Sequence, residues 1–168
     1  EEIPIACRME EVVQTEYKRI EDALVRVLRS DRRVAQKILS AYLNLLTVYP
    51  DQPYDQKPIL YPDSDIPIVK PESIGDADCL GEKELRTLEI VKTAIQNGER
   101  VLIYTSWVRT DSQQKFKKLL TDEGYRTEIL TDKIKTTNRE EWVQKKLAAG
   151  MQVLITNPSL VETGLDLN

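Results

Sequence analysis

Between residues 82 and 156 two kinds of apolar pattern alternate, and this alternation limits the fold more than any other feature of the sequence. Leu85, Leu88, Val91 and Ile95 recur at helical spacing and stop at Asn97 and Gly98, a helix C-cap. Residues 101–105 follow as a short continuous apolar run, the pattern of a buried parallel strand. A second helix is expected through Phe116, Leu119 and Leu120 to Gly124, opened by the capping box Thr110-x-x-Gln113. Residues 126–130 read as the next strand. The box Thr137-x-x-Glu140 opens a helix through Trp142, Val143 and Leu147 to Gly150, and residues 151–156 read as a third strand. Helix, strand, helix, strand, helix, strand with short connections predicts an α/β domain. Its sheet is expected to be parallel, with right-handed crossovers.

The first 49 residues follow another pattern. Ile3 to Cys7 alternates weakly and predicts a short strand, with Pro4 confining it to an edge or a strand start. Val13, Tyr17, Ile20, Leu24 and Val27 step by four and three residues, and Val34, Ile38, Tyr42 and Leu45 do the same. Two amphipathic helices result, separated at Ser30 and Asp31, which supply a cap. Together they are expected to form a helical hairpin. Residues 50–81 then form an acidic, proline-rich crossing, because six of the eight prolines fall between Pro50 and Pro71. Proline fixes φ and lacks an amide donor, so neither a helix nor a central strand runs through such a stretch. Tyr54, Ile59, Leu60, Tyr61, Ile66 and Ile68 make it too apolar for a free linker, and an ordered crossing against the surface is expected.

Composition removes several chemistries. The chain has 168 residues, no histidine and two cysteines, Cys7 and Cys79. A Ser-His-Asp triad, a Cys-His pair, a His-bearing zinc site and a histidine pH switch are excluded within these residues. The widely separated cysteines support neither a disulfide framework nor a four-ligand zinc site. The net charge is −4, but residues 50–82 hold eight acids and two bases. Bases cluster elsewhere: Arg26, Arg29, Arg32, Arg33 and Lys37, then Lys115, Lys117 and Lys118, then Lys133, Lys135 and Arg139. Such clusters suit phosphates, and equally suit solvated helix faces. The first residues lack the basic and apolar regions of a secretory leader. A start without Met and an end in mid-pattern at Gly164 to Asn168 read as part of a larger protein.

In parallel sheets ligands bind beyond the carboxyl ends of the strands. Three such ends are expected here: Thr105-Ser106-Trp107, Thr131-Asp132-Lys133, and the stretch from Thr156 and Asn157 to Thr163, Gly164 and Asp166. Hydroxyl and amide groups at one sheet edge suit phosphate oxygens. Gly164 allows close backbone approach, and the Asp166 carboxylate can accept from ribose hydroxyls. No G-x-x-x-x-G-K-[ST] phosphate loop is present and no acidic pair follows an apolar strand, so these residues alone do not cradle a triphosphate and its magnesium.

Residues 101–107, Val-Leu-Ile-Tyr-Thr-Ser-Trp, resemble motif IV of superfamily-two helicases, closest to the Swi/Snf-type DNA translocases. Residues 153–167 resemble motif V, and Arg139 with Trp142 and Leu147 resembles the short arginine motif between them. Ile3, Pro4 and Ile5 with Tyr17 look like the strand-then-helix entry to the same lobe. The resemblance covers residues 82–168 well and 1–49 loosely. It implies the second, C-terminal RecA-like lobe of a two-lobed ATP-driven motor. The implied partners are duplex DNA and a first RecA-like lobe, and the implied cofactors, in the larger protein, are ATP and Mg²⁺. Thr105, Ser106 and Trp107 would lie along the tracked strand. Arg139 would hold a phosphate or pin the neighbouring loop. Thr156, Asn157 and Thr163 would meet phosphates, and Gly164 and Asp166 the nucleotide. The implied location is cytoplasmic, on the nucleoid, or nuclear in a eukaryote. Without phosphate loop, magnesium carboxylate or arginine finger, this chain alone is expected to be inactive as an ATPase. A rival reading keeps the fold as a non-catalytic module that binds a protein through the proline-rich segment. A free-standing Rossmann-like transferase would need an acid, base or metal pair that the sequence lacks.

Overall fold

The structure, a computed structural model, describes residues 2–105 and 112–161. The chain divides into two compact units, Glu1–Glu82 and Lys83–Asn168.

The first unit is built on α1 (Glu11–Ser30) and α2 (Arg32–Val48). Asp31 is the whole connection. Its amide donates to Val27 O and closes α1, while its carboxylate accepts from the amides of Arg33 and Val34 and opens α2. This is the expected cap, and it satisfies amides that have no partner inside the helix. Val13, Ile20, Ala23, Leu24 and Val27 of α1 share one core with Ala35, Ile38, Tyr42 and Leu45 of α2. The proline-rich segment closes that core. It contains an antiparallel ribbon of β1 (Ile59–Leu60) and β2 (Pro67–Val69), and Val69 is buried among the helix residues, with Ile59, Ile68 and Ile74 against them.

One expectation fails here, and one element was not foreseen. No strand forms at Ile3 to Cys7: residues 2–10 have no regular structure, and Ile3 and Ile5 are exposed. Alternation without a neighbouring strand to pair with does not make a strand, and Pro4 removes one donor. The ribbon was not expected, because strands of two and three residues are too short to show a period.

Glu16 fastens α1 to the segment that follows β2. It is only 5% exposed. Its carboxylate accepts from Arg19 Nε and Nη2 at 2.6 Å and from the Glu72 amide at 2.8 Å, and Arg19 Nη2 also reaches Lys70 O. The hydrogen bonds from Arg19 hold the Glu16 carboxyl below its ordinary value of 4.5, against the opposing effect of burial. A lowered folded value means that the contribution of Glu16 to stability is fully present above pH 4.5. It is lost as the pH falls through the folded value. We predict that Glu16→Gln flattens the dependence of this unit's urea midpoint on pH between about pH 5 and 3. An unchanged slope would mean that other carboxylates govern acid unfolding.

Two tyrosines give an opposed pair. Tyr49 and Tyr42 are both fully buried, and burial pushes both hydroxyls up to about 12. The Tyr49 hydroxyl donates to Glu72 O at 2.9 Å. The Tyr42 hydroxyl has no hydrogen-bond partner among the described residues. A buried polar group without a partner costs about 1–3 kcal/mol, whereas a made hydrogen bond contributes about 1. Tyr42→Phe is therefore expected to be neutral or stabilising, and Tyr49→Phe to destabilise by about 1–2 kcal/mol. Paired denaturation curves measure both, and a loss at Tyr42 equal to that at Tyr49 would contradict the assignment.

The second unit is the expected α/β domain. α3 (Glu82–Gln96) begins at the boundary, followed by β3 (Val101–Tyr104), α4 (Ser112–Asp122), β4 (Thr127–Ile129), a 3₁₀ turn (Thr136–Asn138), α5 (Arg139–Ala148), β5 (Val153–Thr156) and the short α6 (Pro158–Val161). The strands form one parallel sheet in the order β3-β5-β4. The central strand aligns Val153 with Val101 and Thr127, Leu154 with Leu102 and Glu128, and Ile155 with Ile103 and Ile129.

Alternation along the strands sorts the helices onto two faces. Val153 and Ile155 pack with Val91 of α3 and with Phe116 and Leu120 of α4, whereas Leu154 packs with Val143 of α5, Leu130 and Met151. Right-handed crossovers require this arrangement. The connection from β3 to β4 crosses the sheet in one direction and that from β4 to β5 returns, so their helices lie on opposite faces. Gly98 and Gly124 end α3 and α4 at φ +78° and +88°, values that glycine adopts freely. The capping box at Thr137 does not form. Asn138 is the N-cap and makes no side-chain cap, because a 3₁₀ turn carries Thr137 outside the helix, where its hydroxyl bonds Asn138 Oδ1. The box at Thr110 lies outside the described residues.

Glu128 on β4 is held from two helices. Lys146 of α5 donates to one of its oxygens, and Lys117 of α4 lies 3.5 Å from the other. Burial works to raise the Glu128 carboxyl, but Lys146 and Lys117 outweigh it and hold the group below its ordinary value.

Candidate nucleic-acid interface at the sheet edge

All three parallel strands end at the same edge, and β3 and β5 end side by side with Tyr104 opposite Thr156. The backbone ladder continues one residue further, where the Thr105 amide donates to Thr156 O at 2.9 Å. Thr105 is then fixed twice more. Its hydroxyl accepts from Gln113 Nε2 of α4 at 2.8 Å, and its carbonyl accepts from Asn157 Nδ2 at 3.2 Å. Gln113 is buried, and its side chain, expected in a capping box, instead holds the end of β3. The signal available was its place as the first inward position of α4, one turn before Phe116.

Asn157 links the strand end to the helix beyond it. Its Oδ1 accepts from the Ser159 amide at 2.9 Å and from the Ser159 hydroxyl at 2.6 Å. Asparagine before a proline at the first helical position is a favoured helix start, because proline loses only an amide that would lack a partner anyway. Asn157 therefore caps α6 and clamps β3 to β5 at once. Thr156 is fully buried, with its hydroxyl 3.4 Å from Leu130 O and from Asn157 O.

Arg139 is 8% exposed. Its Nε donates to Ile134 O at 3.1 Å and its Nη1 to Leu160 O at 2.9 Å. One guanidinium thus joins the loop after β4 to the helix after β5. Both bonds run to backbone carbonyls.

The sheet edge thus separates into an inner and an outer set. Thr156, Asn157 and Arg139 face inward and set backbone positions, and Thr105 is half-buried. The outward groups are Tyr104 (50% exposed), Ser159, and Asp132, Lys133 and Lys135 in the loop after β4. Lys133, expected at the second strand end, and Lys135, expected in the same basic cluster, are exposed cations at this edge. Ser106, Trp107, Thr163, Gly164 and Asp166 lie outside the described residues. Among the described residues no cluster of His, Cys, Asp or Glu is arranged to hold a metal ion. No helix among them is long and apolar enough to cross a membrane. No protein-family model, curated protein or solved structure matches this chain.

Proposed function

We propose that residues 82–168 form the second RecA-like lobe of an ATP-driven nucleic-acid motor of the superfamily-two, Swi/Snf-like kind, and that the edge beyond β3 and β5 tracks duplex DNA. One observation carries this reading. The stretches that resemble motifs IV and V begin as adjacent parallel strands in register, so Tyr104 and Thr156 end side by side at one edge. Arg139, in the stretch that resembles the motif between them, bonds the backbone of the segment after β5. A motor needs such coupling, because a change at the nucleotide must move the groups that hold the track. Lys133 and Lys135, exposed in the loop after β4, are the described cations placed to meet phosphates, and Tyr104 stands exposed at the end of β3. The nucleotide would be shared with a first lobe carrying the phosphate loop and the magnesium carboxylate that this sequence lacks.

The test is site-specific cross-linking. Benzoylphenylalanine in place of Tyr104 is expected to cross-link labelled duplex DNA at low salt, and the same probe in place of Ile66 on the ribbon is not. A second reading, a module that binds a protein through residues 50–72, draws on Leu60, Tyr61 and Ile66, which stand exposed on that ribbon beside Asp63 and Asp65. A protein cross-link at position 66 that survives high salt, with no DNA cross-link at 104, would select it.

A further inference from the structure

We infer that the tip of the α1–α2 hairpin is a separate contact for duplex nucleic acid, which it grips by its phosphates. Residues 26–37 contain five bases, Arg26, Arg29, Arg32, Arg33 and Lys37, and one acid, Asp31. The tip carries net +4 on a unit whose residues 1–82 hold sixteen acids and ten bases. The one-residue turn concentrates this charge. A helix rises about 1.5 Å per residue, so Arg26 and Lys37 lie only about 8–9 Å along their helices from Asp31.

The cations are available. All five are exposed. Asp31 is engaged in capping α2. Lys37 lies 3.6 Å from Asp63, but both are largely exposed and such a pair is worth little. Among the described residues no salt bridge involves Arg26, Arg29, Arg32 or Arg33. Burial of Val27, Ala35 and Ile38 fixes the two helices against each other, so the cations are presented on a preformed surface.

The chemistry selects a phosphate polymer. Four of the five are arginines, whose planar guanidinium matches phosphate oxygens in pairs. A duplex offers one negative charge per about 1.7 Å of axis, so several phosphates fall within reach of a surface this size. An anionic membrane is the poorer match. Membrane-surface helices insert an apolar face, and within residues 26–37 the large apolar side chain left exposed is Leu28 alone.

The experiment measures binding of the chain to a labelled duplex by fluorescence anisotropy from about 50 to 200 mM salt. It compares the unaltered chain with the triple variant Arg29→Gln, Arg32→Gln and Arg33→Gln. Glutamine keeps helix propensity and all three sites are exposed, so the thermal midpoint should stay in place and report an intact fold. A control removes equal charge from the exposed Lys18, Lys92 and Arg100. Three lost phosphate contacts reduce the slope of log K against log salt by about 2.7. Between those salt concentrations the unaltered chain should therefore lose about 40-fold more affinity than the tip variant. The control should keep the slope of the unaltered chain. An unchanged slope in the tip variant, an equal reduction in the control, or binding to anionic vesicles in preference to duplex would each overturn the proposal. Its failure is distinct from failure of the sheet-edge reading. Loss of the cross-link at position 104 with the tip slope retained removes the edge and keeps the tip, and the reverse result does the opposite.

Discussion

Ile155→Ala is expected to lower the stability of the sheet unit by about 3–5 kcal/mol, the largest single effect anticipated here. Ile155 has no exposed surface and sits in the central strand between Ile103 and Ile129, packed with the residues of α3 and α4. Truncation removes the transfer energy of the lost carbons and leaves a cavity that the sheet cannot close, because β5 is bonded on both sides. The two units have separate cores, so the damage should stay local. Amide exchange is expected to rise across β3, β4 and β5 while α1 and α2 keep their protection. Exchange that rises equally in both units would show one cooperative core and contradict the division.

The second large effect falls on Arg139. Arg139→Ala leaves the carbonyls of Ile134 and Leu160 without the donor that joins them, and hydrogen bonds to charged groups contribute about 1.5–3 kcal/mol. We expect a loss of about 2–4 kcal/mol in the sheet unit. Arg139→Lys separates pinning from phosphate binding. Lysine keeps the charge, but its single ammonium lacks the fork that spans two carbonyls. The structure predicts that Lys destabilises nearly as much as Ala, and that neither changes the salt dependence of duplex binding by a full phosphate contact. A lysine variant with intact stability, or a slope reduced by about 0.9, would make Arg139 a phosphate ligand after all.

Much of the architecture was legible because it depends on local pattern. Helical spacing of Val13, Ile20, Leu24 and Val27, or of Leu88, Val91 and Ile95, reports a buried face whatever that face meets. The apolar runs of β3 and β5 report burial on both faces of a parallel sheet. What failed depends on partners. Ile3 and Ile5 alternate as a strand would and find nothing to pair with. The ribbon is fixed by Ile59, Ile68 and Val69 meeting the helices, which the prolines conceal. Glu16 drew no expectation from the sequence, although it stands at a helical step between the buried Val13 and Ile20, and Arg19 three residues on supplies its partner.

The candidate edge was legible in place and not in orientation. That Thr105, Thr156 and Asn157 follow apolar strands places them at one edge. Whether each side chain turns inward is decided by hydrogen bonds between distant residues, such as Asn157 to Thr105 or Arg139 to Leu160. The same interlocking divides the labour we propose: buried polar groups set the backbone, and the exposed Lys133 and Lys135 touch the track.

The motor reading is tested most directly by ATP turnover of the natural protein in which this chain occurs, with and without duplex DNA at one fixed low salt. The account predicts turnover that duplex DNA stimulates strongly, and none from these 168 residues alone. Absence of turnover under both conditions, or turnover by the isolated chain, would contradict it.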